Sequence, residues 1–253
     1  MSGNHDQEKT AKVPTIVDEI CDLCLQSAPE MSWLIEPLTL GRARAYVLQH
    51  LLRNRLLSAV IRPAWLSRCP DMTVVEQTIE QMREELVHDD EIDSAHTELI
   101  RQLGKSVGLS DAEMDSSTPV SQVEAAFNLW ENLARTRHWA VGFLSSSVGE
   151  YLIVTLKDNN FSGERWKKHL GLNDQDVFFF TYHQKADLLH AGVNVWKPII
   201  KHVHNTSDRQ ELLSGARMAL EALRLFYRGC ADLGDELDRK MKPKDRPKLE
   251  QVS

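Results

Sequence analysis

The chain has 253 residues, of which 42% are hydrophobic and 26% charged, with a formal net charge of −7. This is the composition of a globular domain large enough to bury a core without disulfide staples, and the acidic balance argues against a nucleic-acid groove as its main business. No run of 18 apolar residues occurs, so no transmembrane helix is expected, and four cysteines make no secreted disulfide framework.

Residues 1–12 (MSGNHDQEKTAK) are polar with no apolar core, which predicts a disordered start without a secretory signal. A first helix is predicted over about 14–27, VPTIVDEICDLCLQ. Its Cys21 and Cys24 lie inside a helical pattern with no second such pair and no preceding strand. They read as core thiols and not as a zinc or redox motif. Breaks at Pro29 and Pro37 precede a long segment, about 39–67, with Thr39 as N-cap and Pro63 expected to kink or end a helix within it. Helical spacing resumes over 72–104 through Val75, Ile79, Met82 and Leu86, but HDDEIDS (88–94) is polar enough to predict an irregular turn. A loop, SDAEMDSSTPVS, leads to a helix over about 120–159. After a short helix in GERWKKHLG, one long helix is predicted from DVFFFTYHQKADLLH onward to KHV, and a last one over about 208–240. Strand signals are nearly absent and no repeat is visible. The expected fold is all-α: one domain over 13–240 of about seven helices, followed by a flexible basic tail over 241–253.

Chemistry concentrates in three places. His183, Asp187 and His190 are spaced four and three apart, which puts them on one helical face. Such a triplet on a solvated face would form ion pairs, but here Phe178, Phe179, Phe180, Leu188, Leu189, Val193 and Trp196 surround it. Glu150 sits among small and apolar residues (Ser146, Ser147, Val154), and a buried carboxylate there needs a partner or a cation. The third place offers Glu84, Glu85, His88, Asp89, Asp93 and His96. Mixed carboxylate and imidazole donors from several bundle helices suit iron or manganese.

The passages SRCPDMT and HTELIRQLGKSVGLS, the Glu150 helix and the pattern FFxxHxxxDxxH resemble the haem-oxygenase-like (TenA/PqqC-type) non-haem di-iron oxidases and oxygenases. The resemblance runs from about Leu40 to His204 and is strongest to the branch containing the chlamydial death-domain-associating protein. It implies a haem-oxygenase-like bundle with two irons and O2 as co-substrate. The ligands it implies are Asp89, His96, Glu150, His183, Asp187 and His190, with Glu150 bridging. The family more often has Glu where this chain has Asp89, so Glu85 or Asp93 is the alternative. No tyrosine stands near residue 35, where the chlamydial protein places a sacrificial one, and the helix at 45–62 offers His50 but no acid. Implied activities are N-oxygenation, oxidative decarboxylation or C–C cleavage of a small amine or amino-acid-like molecule in specialised biosynthesis. A cofactor-independent PqqC/TenA-like oxidase or hydrolase and a non-enzymatic interaction protein are the alternatives. Substrate-binding candidates are Tyr182, Arg137 and Lys157, with Lys185, Arg224 and Arg228 as further cations and Trp139 and Tyr227 as further lining. The expected setting is cytoplasmic, with a small-molecule substrate, no nucleic acid, no membrane, and a homodimer allowed.

Overall fold

The computed structural model describes residues 15–28, 38–155, 163–190 and 193–241. The expectations for residues 1–12, Pro29 and Pro37, Lys157, and most of the basic tail lie outside the described residues, as do the side chains of Asp187 and His190. Among the described residues the chain is helical with no strand beyond one isolated bridge, and no helix is long and apolar enough to cross a membrane.

Helix α1 (Ile16–Ser27) opens with a capping box: Thr15 Oγ1 accepts from Asp18 N–H (3.2 Å), and Asp18 accepts from Thr15 N–H (2.8 Å). Cys21 and Cys24 are buried in it as free thiols, and burial pushes the Cys24 thiol up to about 12. Thr39 caps α2 (Leu40–Leu56), accepting from Arg42 N–H at 3.2 Å.

Pro63 neither ends nor sharply breaks this segment. The backbone widens into one π turn, Leu57–Ile61, where Arg62 N–H reaches back five residues to Leu57 C=O, and continues as α3 (Arg62–Leu66). A wide turn is how a helix absorbs a residue that cannot donate, and such turns gather at functional sites. Here it turns Arg62 inward, 3% exposed, with its guanidinium donating to Ser58 Oγ at 2.8 Å.

Helix α4 (Met72–Leu86) is capped by Asp71, and α5 (His96–Ser106) follows the expected irregular segment. A short α6 (Asp111–Asp115) lies inside the predicted loop, started by a Ser110/Glu113 capping box that SDAEM spells out. The predicted helix over 120–159 is two: α7 (Ser121–Thr136) and α8 (Trp139–Thr155). The cause of the break is tertiary. Arg68 donates to the carbonyls of Ala134 and Arg137 at the end of α7, and Glu211 accepts the His138 N–H at 3.1 Å. Neither partner is visible locally. After α9 (Gly163–Leu170), the expected long helix is described as α10 (Phe178–His190) and α11 (Val193–Ile200). Asn205 caps α12 (Thr206–Lys240), accepting from Asp208 N–H at 3.0 Å.

Helix α12 is the spine, lying against α2, α7 and α8. At its crossing with α2 the backbones touch: a Cβ on Gly41 would stand 2.3 Å from Gly234 O, and one on Gly234 2.5 Å from Arg42 Cα. Helix α8 is apolar all round, the mark of a central helix, and residues 139–150 are all buried. Glu150 is thereby carried into the interior, 8% exposed.

Candidate metal centre

One cavity is built from α2 with its π turn, α3, α4, α8 and α10. Tyr46, His50, Arg53, Asn54, Leu57, Arg62, Glu85, Glu150, Phe179, Phe180 and His183 line it.

His96, with no exposed surface, is the hub. As the first residue of α5 it faces back onto the last turn of α4 and the irregular segment. Its Nε2 lies 2.8 Å from Asp89 Oδ2 and its Nδ1 3.5 Å from Glu85 Oε1. Burial alone would lower its pKa, but Glu85 and Asp89 overcome that and raise it to about 9. Burial alone would raise Glu85, yet the bond and charge of His96, aided by His183 and Arg62, hold that carboxyl well below its ordinary range. Asn54 Nδ2–H fixes the other Glu85 oxygen (2.7 Å).

His183 stands across from His96, ring centres 4.8 Å apart. Its Nδ1 lies 2.9 Å from the Phe179 carbonyl, so Nδ1 carries the hydrogen and Nε2 the lone pair, the tautomer a metal ligand needs. Donor atoms of Glu85, His96 and His183 come within 4.8 Å of one another, as do those of Glu84, Asp89 and His96. Hard carboxylate oxygens and imidazole nitrogens converging in a buried pocket fit a divalent first-row metal such as iron. A proton on His96 provides part of the positive charge that a metal ion would otherwise bring.

Glu150 lines the same cavity but belongs to neither group. Its Oε1 accepts from Arg62 Nη2 (2.8 Å) and Gln81 Nε2 (3.0 Å). Arg62 and Gln81 were not anticipated. Arg62 became legible only once the π turn was known, because regular helical spacing from Thr39 gives it no defined face.

Asp89 is irregularly placed, as expected, yet well tied. Its N–H donates to Ser94 C=O (2.9 Å), Oδ1 accepts from Glu91 N–H (2.8 Å), and Tyr182 O–H donates to Oδ2. Asp93 takes a left-handed turn at φ 51° to close the loop; it is exposed, facing His88. Tyr182 thus contacts a candidate ligand and is not among the cavity-lining residues. Asp187 and His190 share α10 with His183.

The expected cations that the structure describes stand elsewhere. Arg137, half-buried at the end of α7, points an Nη at Met218 Sδ. Lys185 pairs with Glu91, Arg224 with Glu221, and Arg228 with Asp232. Trp139 lines a separate cavity with His138 and His202, and Tyr227 is core. The cavity's cations are Arg53 and Arg62.

Known proteins show the fold and the family. The chain is 23% identical over 187 residues to a 4-aminobenzoate synthase of Chlamydia pneumoniae, covering 72% of this chain and 80% of the relative. Among solved structures, a haem-oxygenase-like domain from Shewanella denitrificans superposes with a TM-score of 0.60 at 17% identity, covering 88% of this chain and 90% of that one. A CADD-like protein of Nostoc punctiforme gives 0.59 at 16%, covering 90% and 96%, and a TenA homologue of Pseudomonas syringae pv. tomato gives 0.61 at 10%, covering 87% and 93%. At these identities the structures show a shared haem-oxygenase-like all-α fold. The sequence itself goes further: residues 44–224, which hold every side chain of the cavity, match the iron-containing redox enzymes, and the chain belongs to that family.

Proposed function

We propose that the chain is an O2-dependent non-haem di-iron oxidase or oxygenase acting on a small amine or amino-acid-like molecule, in a biosynthetic pathway for a specialised metabolite. The reactions in view are N-oxygenation, oxidative decarboxylation and C–C cleavage. One observation carries the reading. Glu85, His96 and His183 converge in a buried pocket that Glu150 also lines, in a family of iron-containing redox enzymes.

The residues that would hold the irons are Glu85, Asp89, His96, Glu150 and His183. Asp187 and His190 join them through the family resemblance of the HxxxDxxH helix. Iron bound there would supply the reduction of O2 that a protein side chain cannot perform. The chain's own groups do the rest. Phe179 C=O holds the His183 tautomer. Asn54 orients Glu85, while Arg62 and Gln81 hold Glu150 against the cavity wall. Tyr182 O–H and the His96 ring both meet Asp89 Oδ2, so Asp89 is the group that can take the His96 proton when a cation arrives.

The test is anaerobic loading with Fe(II), metal quantification, then O2 uptake with a panel of amines and amino acids, for the native chain and His183→Ala. The expected result is about two irons per chain and substrate-stimulated O2 uptake, both reduced in the variant without unfolding. Turnover by metal-free protein would transfer the case to a cofactor-independent oxidase or hydrolase.

A further inference from the structure

The cavity holds two arginines in opposite situations. Arg62 is committed to Glu150 and Ser58. Arg53, nine residues earlier on α2, is 6% exposed and makes no hydrogen bond or ion pair with any described residue; its Nε has no acceptor among them. Buried Arg42, by contrast, is bonded to Asp235 at 2.8 Å. We propose that Arg53 is the anchor for a substrate carboxylate, so that the cavity selects small acids by their anionic end. This rests on the reading of the cavity as the substrate chamber.

A guanidinium removed from water without an anion is costly, and such groups persist where a partner arrives from outside. The Arg53 guanidinium carbon lies 5.6 Å from the Trp130 ring centre and 5.5 Å from that of Phe226. Aromatic faces ease the charge and fix the plane of the fork, but they accept none of its in-plane N–H bonds. Those bonds match the two oxygens of a carboxylate.

Position supports the assignment. A Cβ on Gly149 would stand 2.8 Å from Arg53 Nη2, so the fork lies against α8 beside the residue that precedes Glu150. Glycine there leaves the fork its room. His50, one turn before Arg53, is 8% exposed and its Nδ1 also lacks a partner among the described residues. Burial, then the charges of Arg53 and His183, push His50 well below the ordinary range, so it is neutral and able to donate or accept a hydrogen bond. Tyr46, Leu57, Phe179 and Phe180 supply apolar wall for the body of the ligand. An acid held by Arg53 keeps the rest of its length in the chamber that Glu85, Glu150 and His183 line.

The experiment is equilibrium binding, followed by tryptophan fluorescence, of benzoate and hexanoate against benzamide and hexanamide. It uses the full chain both metal-free and loaded with Fe(II) under anaerobic conditions, alongside Arg53→Gln, Arg53→Lys and Gly149→Ala. We expect acids to bind more tightly than their amides. Arg53→Gln should weaken acid binding by roughly 10- to 100-fold and erase the preference. Arg53→Lys should restore part of it, and Gly149→Ala should weaken it by crowding the fork. The ligand-free Arg53→Gln protein should melt no lower than the native one, since an uncompensated cation has been removed. Equal binding of acid and amide, no acid binding at about 10 mM, or unchanged affinity in Arg53→Gln would overturn the proposal. So would a lowered melting temperature in Arg53→Gln, which marks a purely structural arginine. Acid selectivity without iron uptake would leave this inference standing and remove the oxidase reading; iron-dependent O2 uptake without acid selectivity would do the reverse.

Discussion

The two ends of the cavity solve the problem of buried charge differently. At the α4/α5 end every charged group has its counterpart within the chain. His96 lies between Glu85 and Asp89, and Glu150 is held by Arg62 and Gln81. At the α2 end Arg53 has none among the described residues, and its Nε has no acceptor there. The first end is a self-compensated cluster that can exchange its proton for a metal ion. The second is a standing positive charge, suited to an anion that comes and goes. A closed hydrogen-bonded cluster can persist while its occupant changes, whereas an open cation shows its purpose only with a ligand present.

The largest effect should come from removing the hub. His96→Ala leaves Glu85 and Asp89 buried without their shared partner, and breaking such a pairing costs about 3–5 kcal/mol. Urea unfolding of metal-free protein at neutral pH measures this. A loss below about 1 kcal/mol would mean that the carboxylates are solvated, and the two ends would then be alike.

A titration examines the same cluster without mutation. His96 is raised from 6.5 to about 9 in the folded, metal-free protein. Its contribution is therefore complete below pH 6.5 and is lost as pH rises through 9, on the order of 3 kcal/mol in all. Glu85 has the opposite sign: depressed below 4.5, it stabilises above that pH and loses its effect as pH falls further. Metal-free stability should thus be highest between about pH 4.5 and 6.5. Metal affinity should run the other way, rising toward pH 9 as the His96 proton becomes easier to displace. Stability that is flat from pH 6.5 to 9 would show His96 neutral throughout.

Arg62→Met ranks next. It removes the charged partner of Glu150, leaving Gln81 as a neutral donor, and should cost about 2–3 kcal/mol in metal-free protein. Bound metal should offset most of this by replacing the lost positive charge. An equal loss with and without metal would place Glu150 outside the metal's field and reduce Arg62 to a structural strut.

Much of this molecule could be read from its residues, for identifiable reasons. Thr39, the helical spacing before HDDEIDS and the apolar run around Glu150 are local signals, and each gave an element or a burial that the structure shows. The split between α7 and α8 was not legible, because Arg68 and Glu211, far away in sequence, satisfy the groups it exposes. The short α6 was legible in its Ser110/Glu113 box, which the Ser- and Asp-rich flanks hid. In the candidate site, spacing picked out His183 and an apolar setting picked out Glu150, while the family resemblance left Asp89 with Glu85 or Asp93 as alternatives where the structure sets both Asp89 and Glu85 against His96. Arg53 and Arg62 escaped because long cations usually reach for water, and nothing in LLRNRLLSAVIRP says which of its arginines do not.

The smallest effect concerns the seam between cluster and loop. The segment 87–95 has no regular structure, and its carboxylate is one methylene shorter than glutamate. Yet Asp89 is 4% exposed, and its side chain is fixed by Tyr182, His96 and the Glu91 N–H. Burial pushes the Asp89 carboxyl up, but Tyr182 and His96 reverse this and keep it below its ordinary value. Tyr182→Phe removes one donor and leaves the ring packed beside His96, whose centre lies 5.2 Å away. The expected cost is about 1 kcal/mol of global stability. Metal affinity should fall roughly tenfold, as when an outer hydrogen bond to a ligand is lost. Hydrogen exchange should quicken in 87–95 while the α4 and α8 amides stay protected. If exchange there is already fast in the native metal-free chain and unchanged in the variant, the loop is not held by Tyr182. Ordering it would then fall to the metal itself, lowering apparent affinity by the cost of that ordering.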